Sequence, residues 1–425
     1  KSSPITVNGF KDKEMINLCF IASAMGHNIS IIIEGLDELR LIIDIAKNTK
    51  TKLPFIGIRV RLHSSGDGVW AKSGGINSKF GLSSTELIGS LKLLRKNGLI
   101  KQFRMIHFHI GSQMSDIAPI KKALREVGNI YADLRKMGAS FLDSINLGGG
   151  LAVEYGQNNS CLDRNYTIEE FSNDVVFLLK EISEKKGVKS PHIYTESGRF
   201  IAANHAVLVA PVLELFSSDY HYDNLDLKEN NPPLVDELFD LYNSINEKNA
   251  MEYLHDALDH RESLFTLFDL SYIDLIDRSN MEILVHLIIK KVLILTKNRN
   301  TPELKKLQNH LQERYLVNIS LFQSMPDFWA IEQKFPILPL SYLNQKPTRS
   351  ASIWDITCDS DGEIGFNNKN PLYLHDINLD KEDYFLAFFL QGAYQETLGM
   401  KHNLFDKPSE VSIVFNEGSY QITDL

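Results

Sequence analysis

The sequence predicts an α/β protein: a TIM-type (β/α)8 barrel, N-terminally incomplete and entered near its third strand, then a C-terminal β-rich domain with a helical insertion. Three observations predict it. Through the first two hundred residues, short β-branched runs alternate with amphipathic helical stretches. Polar and glycine clusters follow the C-terminal ends of successive runs, where barrel active sites are built. After about residue 204 the pattern turns first to nearly unbroken helix and then back to strand.

The strand-like runs are PITV (4–7), ISIIIE (29–34), FIGIRVRL (55–62), RMIHFHI (104–110), SINL (144–147) and HIYTES (192–197). Between them lie helical patterns such as ELIGSLKLLRKNG and IKKALREVGNIYADLRKMG, each closed by a glycine in the C-cap position. Apolar strands alternating with helices imply a parallel sheet covered on both faces. Six βα units are visible, which suits an open doubly wound sheet or a barrel lacking two strands. The placement of the polar clusters favours the barrel, with the two further strands expected upstream of Lys1.

The expected domains are a barrel over 1–204, a crossing strand over 205–217, a helical insertion over 218–312 and a β-rich domain over 313–425. HAVLVAPVLELF reads as the crossing strand, and KENNPP as a linker after it. Residues 234–312 read as helix. YLVNISLF, ASIWDITCD and DYFLAFFLQGAY return to strand, and EVSIVFNEGSYQITD reads as a hairpin turning at Asn416–Glu417–Gly418.

Of the 425 residues, 43% are hydrophobic and 23% charged, as in a soluble globular protein. No apolar run approaches the roughly 20 residues that span a bilayer, so no membrane association is expected. The net charge of −9 argues against nucleic acid and is compatible with a cationic small substrate. Cys19, Cys161 and Cys358 do not make a disulfide framework, which points to a reducing, cytoplasmic compartment.

Several motifs carry chemistry. Gly148, Gly149 and Gly150 end the fifth run, where bare amides can nest a phosphate or merely make a tight turn. No GK[ST] follows them, so this is not a P-loop. In YTESGR, Arg199 beside Gly198 suits a phosphate contact, and Glu196 is a candidate base, metal ligand or partner for a ring nitrogen. In IHFHIGSQ, His107 and His109 share one face and Ser112 follows a glycine turn. No acidic or cysteine partner sits at matching spacing, so metal binding is the weaker reading, and His107 reads as a satisfied core histidine. DITCDSDG groups Cys358 with Asp355, Asp359 and Asp361 without the rest of a calcium loop. Cys358 is a candidate proton donor or nucleophile. Tyr394, in GAYQE, is a candidate phosphate hydroxyl.

The order of these motifs resembles the fold III (alanine racemase-like) pyridoxal-phosphate decarboxylases of basic amino acids, and within them the bacterial biosynthetic arginine decarboxylase subfamily. The likeness runs through NGFKDKE, SGGINSKFGL, HFHIGSQM, GGGLAVEY, TESGRF, LFQSMPD, ITCDSDG and GAYQETLGMKHNLF. The helical insertion also resembles that subfamily. The resemblance implies that His109 stacks on pyridoxal phosphate, while Ser112, Gly148, Gly149, Gly150, Gly198, Arg199 and Tyr394 surround its phosphate. Glu196 would face the ring nitrogen, and Arg59 the phenolic oxygen. Cys358 would return the proton after CO2 leaves, and Asp359 would bind the distal cation of L-arginine. Asp361 and Asp327 are further candidates for the guanidinium. The resemblance implies that Cys358 and Asp359 reach the site across a homodimer interface, a higher homo-oligomer being the alternative assembly.

The implied reaction is L-arginine to agmatine and CO2, in polyamine synthesis. The alternatives are another basic amino-acid decarboxylase of the same fold (ornithine, lysine or diaminopimelate), or a catalytically inactive regulatory paralogue. The resemblance also brings Mg2+ as a cofactor, for which the sequence offers no site. The lysine that would link the cofactor belongs on a first strand, in a Pro-Ile-Lys-Val-type segment absent here, and is expected upstream of Lys1.

Overall fold

The computed structural model describes residues 3–64, 78–156, 164–216, 220–297, 299, 301–366 and 371–424. Cys161 and residues 73–77 of the SGGINSKFGL motif lie outside them.

The first two hundred residues build β1 (Pro4–Val7), α1 (Lys13–Ala24), β2 (Asn28–Ile33), α2 (Leu36–Lys47), β3 (Phe55–Arg59), α3 (Ser84–Lys96), β4 (Phe103–His107), α4 (Ile117–Lys136), β5 (Ser144–Asn146), α5 (Ile168–Lys186), β6 (His192–Tyr194) and α6 (Gly198–Ala202). The strands are apolar without alternation where both faces are covered: in β2, Ile29 to Ile33 are all buried. Helix starts follow local chemistry. Asp12, Ser83, Asp116 and Thr167 cap α1, α3, α4 and α5 through their side chains, and Ser83 with Glu86 completes a capping box. Lys11, in the NGFKDKE motif, is buried and pairs with Glu38 at 3.4 Å, tying the loop after β1 to α2.

Among the described residues, β1 to β6 form one sheet whose spatial order is the chain order, with every neighbouring pair parallel. A doubly wound sheet reverses its strand order at a switch point, so that alternative is excluded, and the sheet is the singly wound arc of a (β/α) barrel. Register aligns Arg59, His107, Asn146 and Tyr194 in one row at the C-terminal ends of β3 to β6. Residues in one row of a parallel sheet point to the same face. This row founds the site.

The rest comprises β7 (Leu208–Phe216), α7 (Pro233–Ser244), α8 (Ala250–Asp269), α9 (Leu275–Leu295), α10 (Pro302–His310), β8 (Glu313–Val317), α11 (Leu321–Ser324), α12 (Pro326–Ile331), β9 (Ile337–Pro339), β10 (Arg349–Trp354), β11 (Glu363–Ile364), β12 (Leu372–Leu374), β13 (Phe385–Phe388), α13 (Gln395–Leu398), β14 (Val411–Asn416) and β15 (Ser419–Asp424). α7 to α10 form the helical insertion around their own core, into which α9 buries Met281, Leu284, Val285, Ile288, Ile289 and Val292. A second sheet has the order β11-β10-β8-β7-β13-β9, with β12 also paired to β10. β14 and β15 form the hairpin, whose turn residues Glu417 and Gly418 both have positive φ, as a tight two-residue turn requires.

Two compact units result. One joins residues 1–208 with 323–337 and 388–400; the other joins 209–322, 338–387 and 401–425. The chain therefore returns twice to the barrel unit from within the stretch read in the sequence as β-rich domain.

Candidate active site

Glu196 lies two residues beyond β6, in the TESGR turn. Its Oε1 accepts a hydrogen bond from Asn146 Nδ2 at 2.8 Å and another from Asn8 Nδ2 at 2.6 Å. Asn146 Oδ1 in turn accepts from the Gly148 amide at 2.8 Å, and the Glu196 amide donates to the Gly148 carbonyl at 2.9 Å. One asparagine thus locks the glycine turn to the carboxylate. Next in the row, Arg59 pairs with Glu34 at 3.3 Å, and Glu34 Oε1 also accepts from the Gly9 amide at 2.9 Å. His109, after β4, has its pKa lowered by burial and by Arg59, so its ring is neutral and free to lie against another ring.

His107 is 2% exposed, and its Nδ1 has no hydrogen-bond partner among the described residues. It is therefore the core histidine expected from sequence with one ring nitrogen left over, Asn146 being its side-chain partner. Burial pulls its pKa down to about 4 from 6.5, with Arg59 and His109 lowering it further against the pull of Glu196. The folded pKa lies below the unfolded one, so the unfolded chain takes up the proton first as pH falls. Stability is then full above about pH 6.5 and declines toward pH 4, by on the order of 3 kcal/mol from this group. Urea unfolding of the His107→Gln variant should show a flatter decline over that window than the parent. Equal slopes would remove His107 as the cause.

The three glycines are not equivalent. A Cβ on Gly148 (φ +67°) would lie 2.5 Å from the Phe108 carbonyl oxygen, and one on Gly150 (φ +116°) 2.6 Å from the Gly111 carbonyl oxygen. The close approach there is made by the chain itself: the loop after β4 packs against the turn, and the Met114 amide bonds the Gly150 carbonyl at 2.9 Å. Gln113, left-handed at φ 52°, clamps the same loop by exchanging two bonds with the Val153 backbone. At Gly149 the nearest atoms to a Cβ are His109 Cε1 and the Ser197 amide, both 3.9 Å away. Only this glycine presents an open backbone face. Gly150→Ala should therefore cost about 2–3 kcal/mol in denaturant unfolding. Gly149→Ala should cost less than about 1 kcal/mol and act on anion binding instead. The reverse order would contradict the assignment.

Arg199 is 7% exposed, at the start of α6. Its Nη1 donates to Asp327 Oδ2 at 3.0 Å and to the Tyr155 hydroxyl at 3.2 Å, and its guanidinium lies 4.7 Å from the centre of the Tyr394 ring. Asp327 is itself 2% exposed and held by Gln395 Nε2 at 3.0 Å, with its amide donating back to Gln395 Oε1 at 3.2 Å. Asp327 is thus the counter-ion of Arg199. That leaves it a different task from the substrate contact considered from sequence. Arg199 Nε is buried with no partner among the described residues, a donor in place for an anion. Tyr394 is reached because Gly392 packs where a Cβ would lie 2.0 Å from the Ala202 carbonyl oxygen. Tyr394 itself is left-handed at φ 70°, a strained state for a large side chain. Ser112 is half-buried and makes no hydrogen bond among the described residues, while Gly198 has open space around its Cα. An open amide face, a buried arginine with a spare donor, a neutral ring and an anchored carboxylate fit a phosphorylated pyridine cofactor.

In the second unit, Cys358 sits on the loop joining β10 to β11. Buried Asp355 organises that loop, accepting from the Leu321 amide at 2.9 Å and from the Thr357 amide and hydroxyl at 2.9 and 2.7 Å. Asp359 Oδ2 lies 2.5 Å from His402 Nε2, and Asn403 Nδ2 reaches both Asp359 at 3.4 Å and the Cys358 sulfur at 3.7 Å. Asn403 and Leu404 are both left-handed, at φ 52° and 61°, a costly state for Leu404 that the surrounding contacts must hold in place. Cys358 is exposed; Asp361 is exposed and stands apart, with no polar partner among the described residues. Sequence reasoning missed Asn8, Asn146, Gln113, Gln395, His402 and Asn403. The one signal for Asn146 was a polar residue inside an apolar run.

Among the described residues, no group of three His, Cys, Asp or Glu side chains is placed to hold a metal, and no helix is long and apolar enough to cross a membrane.

Residues 5–203 match the family model of the pyridoxal-binding domain of pyridoxal-dependent decarboxylases, and residues 228–308 that of the arginine decarboxylase helical bundle domain. The biosynthetic arginine decarboxylases of Geobacter sp. and Bacteroides thetaiotaomicron are 42% and 41% identical, over 97% and 100% of this chain and 67% and 68% of theirs. The crystal structure of biosynthetic arginine decarboxylase SpeA from Campylobacter jejuni is 60% identical, with a TM-score of 0.90 over 99% of this chain and 68% of that one. Diaminopimelate decarboxylase from Helicobacter pylori, at 15% identity and a TM-score of 0.61, shares the fold. The chain belongs to the biosynthetic arginine decarboxylases, within the pyridoxal-dependent decarboxylase family.

Proposed function

We propose that this chain carries the cofactor site and the proton donor of an enzyme that converts L-arginine to agmatine and CO2 for polyamine synthesis. The observation that carries the reading is the anchored Glu196, tied through Asn146 to a glycine turn, with buried Arg199 three residues on. When bound, pyridoxal phosphate would supply the electron sink that takes up the bonding pair as CO2 departs. Arg199, Ser112 and the open amide face of Gly149 would hold the phosphate dianion, with Gly148 and Gly150 shaping the turn, Gly198 leaving room and Tyr394 backing the guanidinium. His109 would cover the ring face and Arg59 the phenolic oxygen. Glu196 would face the ring nitrogen, where its carboxylate would favour the protonated ring and so the sink.

Cys358 would give its thiol proton to the carbon that lost the carboxylate. Asp359 would bind the distal guanidinium, in exchange for its present partner His402, with Asp361 as a further candidate carboxylate on the same loop. Homologous enzymes named arginine decarboxylases support this substrate. We further propose a cytoplasmic homodimer in which these two residues complete the partner's site, a reading supported by the resemblance of the ITCDSDG motif and by the free Cys19 and Cys358 thiols. The test is a substrate series. The kcat/KM of full-length protein should favour L-arginine over L-ornithine, L-lysine and diaminopimelate by about a hundredfold or more, the scale on which a site discriminates through hydrogen bonds that the wrong substrate does not make. A preference for any of the other three would move the enzyme to another specificity, and inactivity with all four would favour a regulatory paralogue.

A further inference from the structure

His107 belongs to the strand-end row but has no part in the site described above. It lies in register between Arg59 and Asn146, fully buried, with Nδ1 unpartnered among the described residues and 4.0 Å from Glu196 Oε1. That oxygen already accepts from two amides, Asn8 and Asn146. At 4.0 Å the imidazole is beyond hydrogen-bond reach, yet it needs only a small shift to donate. The titratable and charged groups facing it are Glu196, Arg59 and His109. Two of these are basic, and together with burial they hold the imidazole uncharged at working pH. Among the described residues, the close side-chain donors around Glu196 Oε1, Asn8, Asn146 and His107, are therefore neutral.

This arrangement has a physical consequence. A cation at position 107 would pair with Glu196 and cancel the field that a protonated ring nitrogen would feel. An apolar residue there would leave the carboxylate held by Asn8 and Asn146 alone, with no third donor on that side. We propose that His107 is a positioning residue for Glu196: a neutral donor beside Oε1 that fixes the carboxylate while leaving its charge uncompensated for a cationic ring nitrogen. The inference rests on the pyridoxal phosphate reading above.

The test compares equilibrium binding of pyridoxal phosphate with that of its deaza analogue, in which C–H replaces the ring nitrogen, to the full chain. Using the ratio within each variant cancels any general loss of site structure. The parent should prefer pyridoxal phosphate by about tenfold or more, the value of one charge-assisted hydrogen bond. Glu196→Gln should erase that preference and His107→Gln should keep it. His107→Leu should reduce it, and His107→Arg should erase it. Should the arginine variant fail to fold, the contrast between glutamine and leucine decides. Parental preference in His107→Leu and His107→Arg would overturn the proposal while leaving the role of Glu196 intact. Absence of any preference in the parent would overturn the ring-nitrogen assignment itself, and the proposal with it.

Discussion

Arg199→Ala is expected to lower stability by about 3–5 kcal/mol and to weaken pyridoxal phosphate binding by about a hundredfold or more. Both partners of the Arg199–Asp327 pair are buried, at 7% and 3% side-chain exposure, so removing the cation leaves a carboxylate in a poorly solvated site. Gln395 alone cannot neutralise that charge; it supplies one neutral donor. The Tyr155 hydroxyl, whose pKa burial pushes up, would also lose its partner. The companion variant Asp327→Asn keeps the contact surface and the link to Gln395 but lifts the counter-charge from Arg199. It should cost less stability and affect phosphate affinity more modestly. Denaturant unfolding and equilibrium cofactor binding, run on both variants, separate the two effects. Similar, small losses in both variants would mean that Arg199 neither holds the turn nor meets an anion.

Cys358→Ala is expected to lower kcat by about 10²- to 10⁴-fold, the range of a positioned general acid, with cofactor affinity unchanged. The thiol is exposed and touches only Asn403 among the polar side chains around it, so its loss removes no packing of consequence. A structural cysteine would behave in the opposite way, with lost stability and retained turnover. Cys19 supplies that control, because it is buried in the barrel core and its thiol pKa is raised by burial. Cys19→Ala should cost stability and leave kcat nearly unchanged.

The six barrel strands were legible because a strand covered on both faces needs a continuous apolar run, and such runs are local. Their limits were less so: HIYTES reads as six strand residues, but only His192 to Tyr194 pair with a neighbour. The three glycines were visible and their reason was not. What approaches Gly148 and Gly150 is the backbone of the previous loop, a tertiary contact with no trace in the glycine segment itself. Glu196 and Arg199 stood out by residue type, but their partners did not. Asn8 lies 188 positions from Glu196, and Asp327 lies 128 from Arg199. A lone asparagine carries no periodicity, and a carboxylate that serves an arginine looks the same in sequence as one that serves a substrate. The return of 323–337 and 388–400 to the barrel unit was hidden for the same reason, since helix and strand propensity say nothing about which core a segment joins.

The most direct test of the account supplies carboxyl-labelled L-arginine to full-length protein, with and without pyridoxal phosphate, and measures labelled CO2 and agmatine together. The account predicts equal amounts of both products, only with the cofactor, and a loss of both in the Cys358→Ala variant. Product formation without the cofactor, or bound cofactor with no CO2 from L-arginine, would contradict it.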